Sequence, residues 1–205
     1  MENKNFEYEL PAGYKQICHL NALDKKFGII FNVVALIVMI VVFLIAFIPI
    51  VINKSLVIEI GHTFSLLMII TMFLYIVLHE LVHGIVYKLK TKEKLTFGYS
   101  WSCAFCGVPN IYVYRKTAIA AVAAPLIVFS AIYIPLMIFL YFVSPTYYIL
   151  VAFLLAFHLG GCVGDAYVLY LLMKNKNDML LVKDTGPEQF IYVPADAENM
   201  NTQEE

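Results

Sequence analysis

The sequence predicts an all-α membrane protein of four transmembrane helices, with both termini on the cytoplasmic side and a short β-like loop between helices two and three. Three observations carry this expectation. The 205 residues are 61% hydrophobic and 14% charged, whereas a soluble domain is nearer half apolar and a quarter charged. Four stretches reach the roughly 20 apolar residues that a span requires: about 27–52, 60–89, 117–143 and 146–173. The basic residues, finally, alternate between the gaps.

Lys4, Lys15, Lys25 and Lys26 precede the first span. Lys54 stands alone between spans one and two. Lys88, Lys90, Lys92, Lys94, Arg115 and Lys116 follow span two, no Lys or Arg separates spans three and four, and Lys174, Lys176 and Lys183 follow span four. Thirteen of the fourteen Lys and Arg therefore fall on the side that holds both termini and the middle loop. The positive-inside rule makes that side the cytoplasm, and the alternation independently supports an even number of spans.

The expected organisation has three parts. Residues 1–26 form a cytoplasmic N-terminal segment, polar and mixed in charge, with no apolar core to suggest a signal peptide. Residues 27–173 form the transmembrane domain, in which Ser144-Pro145 leaves only a tight turn between the last two spans. Residues 174–205 form a cytoplasmic tail with one strand-like patch, QFIYV, after Gly186-Pro187, and an acidic end that reads as disordered. The middle loop carries TFGYSWSCAFCGVPNIYVY, rich in aromatic and β-branched residues and broken by Gly98, Gly107 and Pro109. It reads as one or two short strands near the membrane surface, or as an aromatic belt at headgroup level.

A net charge of −1 gives no nucleic-acid footprint. The four cysteines, Cys18, Cys103, Cys106 and Cys162, are scattered and suggest no disulfide framework. Cys103 and Cys106 make a lone C-x-x-C, read as small residues in a turn, with a redox-sensitive pair as the alternative.

HELVHG at residues 79–84 lies inside the second apolar stretch. Ionisable groups are costly at membrane depth and mark functional sites there. H-E-x-x-H on a helix puts His79 and His83 on one face, able to hold one Zn²⁺, with Glu80 placed as general base on a metal-activated water. Catalytic zinc usually takes a third protein ligand. The candidates are His158 and Asp165 in span four, His62 at the outer end of span two, and His19 in the N-terminal segment.

Depth separates these candidates. His79 lies nine positions before Lys88, and Asp165 lies nine positions before Lys174. Both spans run toward the cytoplasm, so both residues sit roughly 13 Å along their helix from the flanking lysine. Asp165 can meet the histidine pair at its own level, and an aspartate oxygen is an accepted ligand. His158, about 10 Å deeper, is read as a possible outer-shell hydrogen-bond donor or as a packed histidine. Gly160, Gly161 and Gly164 surround this region, where small residues allow close helix approach and a break in the helix where it faces a protein cavity.

These motifs resemble the intramembrane zinc proteases of the site-2 protease class. The chain is more closely similar to a bacterial family of short polytopic membrane proteins described as zincin peptidases. The shared features are HExxHG, a middle loop like GVPNIYVYRK, the small-small-Pro element Ala123 to Pro125, and Gly164-Asp165, covering roughly residues 61–184. The resemblance implies one zinc per chain on His79, His83 and Asp165, with Glu80 as base. It implies hydrolysis of peptide bonds in membrane-associated or transmembrane substrates. Site-2 proteases usually carry Asp-Gly where this chain has Gly-Asp, and their Asn-Pro element is matched only by Ala-Ala-Pro, so the substrate-clamping residues stay unassigned. The expected partners are a peptide or transmembrane protein substrate and the lipid bilayer, with no nucleic acid. Two alternatives stand beside this reading: a non-catalytic membrane metal-binding protein or carrier, and an inactive zincin kept as a membrane interaction partner.

Overall fold

The computed structural model describes residues 4–53, 61–101 and 103–195. In chain order the elements are β1 (Phe6–Glu7), β2 (Tyr14–Asn21), α1 (Lys25–Ile52), α2 (His62–Thr91), β3 (Thr96–Tyr99), β4 (Ala104–Gly107), β5 (Tyr112–Tyr114), α3 (Arg115–Val143), α4 (Pro145–Gly161), α5 (Val163–Lys174), β6 (Leu181–Asp184) and β7 (Glu188–Pro194). The chain forms two compact units, one of residues 1–29, 80–124 and 165–205, the other of residues 30–79 and 125–164. The acidic end of the tail, expected to be disordered, and Lys54 lie outside the described residues.

Helices α1, α2 and α3 are each long and apolar enough to cross a membrane. Asp24 starts α1 by accepting the Phe27 N–H on its Oδ1 at 2.8 Å, which satisfies one of the donors left over at a helix N-terminus. Large apolar side chains such as Ile37, Leu44, Phe73 and Phe142 stand exposed on these helices. Apolar surface on that scale marks a membrane or protein contact, and it is consistent with a membrane protein.

The fourth span, expected at 146–173, is broken as its glycines allow. The helix stops at Gly161, resumes at Val163, and qualifies as a fourth span only as the pair α4 and α5. The cause lies in the glycines. A Cβ on Gly160 would meet the Ala35 carbonyl oxygen of α1 at 2.8 Å. Glycine here serves close helix approach, and its low helix propensity leaves Cys162 outside helical geometry at ψ 1°. The unit of residues 30–79 and 125–164 has its own apolar cluster at Ala46, Ile50, Tyr148, Ile149 and Ala152.

The fold is also not all-α. Five strands form an antiparallel sheet in the order β1-β5-β6-β7-β2, and β3 pairs with β4 in a second sheet. The larger sheet draws strands from the N-terminal segment, the middle loop and the C-terminal tail, all within one unit. QFIYV lies in β7. The β-like loop becomes the β3–β4 hairpin, with Phe97 opposite Cys106 and Gly98 opposite Phe105, followed by β5. Val108, Ile111, Val113, Leu180, Val182 and Ile191 pack under the sheet with Tyr87, Ala121 and Leu172. Strand β2 pairs with β7 along its length, from Tyr14 opposite Pro194 to Asn21 opposite Glu188. Its polar, half-exposed sequence YKQICHLN has no clean alternation, so the pairing, not a local pattern, makes it a strand.

Candidate metal centre

Tyr75, His79, His83, Tyr87 and Thr91 recur every fourth residue along α2, and all five are buried. Residues four apart stack along a helix, so they form one slowly winding buried polar stripe along α2. Buried polar groups require hydrogen bonds, and each member of the stripe has one.

Tyr75 and His79 belong to the unit of residues 30–79 and 125–164. The Tyr75 hydroxyl lies 2.8 Å from His79 Nδ1 and 2.9 Å from His158 Nδ1. His158 is fully buried, with Nε2 3.2 Å from Ser130 Oγ and Nδ1 3.5 Å from Cys162 Sγ. Phe129 packs on both histidine rings and on Tyr75. His79, His158 and Cys162 offer ligand atoms within 4.8 Å of one another, but the Tyr75 hydroxyl stands between the two Nδ1 atoms.

Glu80, His83 and Asp165 belong to the other unit and line one recess with Tyr87, Cys106, Asp184 and Gln189. His83 Nδ1 lies 2.8 Å from the Ala121 carbonyl, so it carries the proton and donates, which turns Nε2 to other use. His83 Nε2 lies 3.5 Å from Asp165 Oδ1. Two ligands at about 2.0–2.2 Å from a tetrahedral zinc stand roughly 3.4 Å apart. The donor pair therefore fits one edge of a zinc site. The Ala121 contact is of the kind that orients a metal-ligating histidine from its outer shell.

The floor of the recess is built by Asp184, at the end of β6. Tyr87 donates its hydroxyl to Asp184 Oδ2 at 2.7 Å, and the Gly186 N–H donates to Oδ1 at 2.9 Å. Burial pushes the Asp184 carboxyl up to about 6, against the opposing pull of those two hydrogen bonds. Gly84 lets the hairpin close over α2: a Cβ there would meet Phe97 Cζ at 2.7 Å and Cys106 Sγ at 3.2 Å.

The remaining sequence candidates have other surroundings. His19 stacks on Phe190 and pairs with Glu188 at 3.4 Å on the sheet. His62 opens α2. Cys103 lies beside Ser100, and burial pushes the Cys106 thiol up to about 12, where little thiolate exists for redox chemistry. Tyr75, Tyr87, Ser130 and Asp184 escaped the sequence reading. The two tyrosines are counted among the hydrophobic residues, and the four-residue spacing with the histidines is the signal that could have found them.

A histidine pair one turn apart on a membrane-length helix, with a carboxylate against the second ring, is a donor set suited to a metallopeptidase. The chain belongs to the family described as "putative zincin peptidase", whose model matches residues 72–180. The matched stretch includes His79, Glu80, His83, His158 and Asp165. A zincin family implies zinc. No curated protein and no solved structure matches the chain.

Proposed function

We propose that this protein is a membrane-embedded zinc metalloprotease of the site-2 protease type, acting on membrane-associated or transmembrane proteins. The observation that carries the reading is His83 held between Ala121 and Asp165, with Glu80 in the same recess. His79, one turn earlier on α2, Asp165 and His83 would hold one zinc through two imidazole nitrogens and a carboxylate oxygen. Bound there, zinc supplies a Lewis acid for the scissile carbonyl and lowers the pKa of an attacking water. Glu80 is not needed as a ligand. It takes the water proton and delivers it to the departing amide nitrogen.

The positive-inside distribution supports a cytoplasmic placement of both termini and of the sheet. The β3–β4 hairpin, with Ala104, Phe105 and Cys106 at the recess, supports capture of an unwound substrate segment as an added strand. Replacing Phe97 and Phe105 without effect on cleavage would sink that last point. The catalytic reading itself is tested with Glu80→Gln: membrane proteins retained by this variant are purified and incubated with wild type. Cleavage by wild type, at least about a hundredfold faster than by Glu80→Gln, is the expected result. Equal rates would remove Glu80 from the chemistry.

A further inference from the structure

We propose that Tyr75, His158 and Ser130 form a hydrogen-bond relay that fixes the tautomer of His79 and so strengthens its hold on the metal. The inference rests on the zinc reading above and assigns roles to residues that the zincin pattern leaves out. One consistent set of bond directions starts from metal ligation through His79 Nε2. If His79 gives Nε2 to the metal, its proton stands on Nδ1 and is donated to the Tyr75 oxygen, 2.8 Å away. Tyr75 has one proton, which it donates to His158 Nδ1 at 2.9 Å. His158 must then carry its own proton on Nε2, where Ser130 Oγ accepts it at 3.2 Å. The Cys162 thiol is a further, weak donor to His158 Nδ1. In this assignment no two donors and no two acceptors face each other along the relay.

The surroundings make this assignment costly to break. His158 is fully buried, Tyr75 nearly so, and Phe129, Tyr133 and Phe157 wall the group off. In so dry a site an unmade hydrogen bond is expensive, so His79 arrives already oriented. Tyr75, His158 and Ser130 are thus positioning residues, the outer shell of one ligand, matching the Ala121 carbonyl that serves His83.

The test is zinc affinity of the detergent-purified full-length protein by competition with a chelator, with thermal unfolding of the metal-free protein alongside. Tyr75→Phe and His158→Leu are expected to weaken zinc binding about 10–100-fold, and Ser130→Ala by less. His158→Asn, which restores an acceptor at the Nδ1 position, is expected to recover most of the loss. Unchanged affinity in Tyr75→Phe would overturn the relay, as would variants that lower only the metal-free melting temperature. Complete loss of zinc in His158→Leu but not in Tyr75→Phe would make His158 a ligand and also overturn it. Absence of zinc from wild type would instead be a failure of the metalloprotease reading, visible before any variant is compared.

Discussion

His83 and Asp165 face each other across 3.5 Å, while the opposite nitrogen of the same imidazole is held by the Ala121 carbonyl. The ring is pinned from behind and presents its other nitrogen to a carboxylate at the separation of two zinc ligands. Asp165→Asn keeps the shape and removes the charge. It is expected to leave the fold intact and to weaken zinc binding by more than the ~100-fold upper range seen for outer-shell changes. Chelator competition on the purified variant checks this.

Two glycines near the recess should respond differently to a methyl group. At Gly84 a Cβ meets only side chains, the half-exposed Phe97 ring at 2.7 Å and, less tightly, Leu95 at 3.1 Å and Cys106 at 3.2 Å. At Gly107 it meets the backbone nitrogen of Gly186 at 2.2 Å, and Gly186 itself holds a φ of +101°. Gly107→Ala is expected to cost about 2–3 kcal/mol and Gly84→Ala under about 1 kcal/mol, since overpacking is cheap only where the neighbour can move. Thermal unfolding in detergent ranks the two.

Asp184 gives the metal-free protein a pH signature. Its carboxyl titrates near 6 when folded and near an ordinary ~3.9 when unfolded. The folded state therefore binds the proton more tightly. Its contribution to stability is full below about pH 4 and is lost as pH rises through about 6, with a total on the order of 3 kcal/mol. Melting profiles from pH 4 to 7 should show this decline for wild type, and it should be absent from Asp184→Asn. Parallel profiles would contradict it.

Tyr87 supplies the hydroxyl that this buried carboxyl accepts. Tyr87→Phe keeps the ring and removes the donor, so it should destabilise the protein by about 1–3 kcal/mol. It should also move the Asp184 transition to higher pH, because a bond to the charged form is gone. Both effects are read from the same melting profiles.

What the sequence shows and what it hides follow from the range of each interaction. His79, Glu80 and His83 declare themselves because the helix brings residues four apart together without help from the rest of the fold. The approach of Asp165 to His83 was reachable through depth alone, since charged residues at span ends act as rulers. The membrane-length helices follow from composition. The five-stranded sheet was hidden: β1, β2, β5, β6 and β7 come from three segments far apart in sequence, and β2 has no apolar alternation of its own. In the sequence the glycines around Cys162 allow a break, but its position was hidden because Gly160 answers to Ala35 on another helix. Tyr75 and Tyr87 were hidden by their rings, which count as apolar although each hydroxyl is engaged by a buried polar partner.

The most direct test of the account is the zinc content of the detergent-purified protein by elemental analysis, for wild type beside His79→Ala, His83→Ala and Asp165→Ala. One zinc per chain in wild type, lost in all three variants, is the predicted result. Wild type purified without chelators and holding no metal, or zinc retained in Asp165→Ala and His83→Ala alike, would contradict the proposed centre.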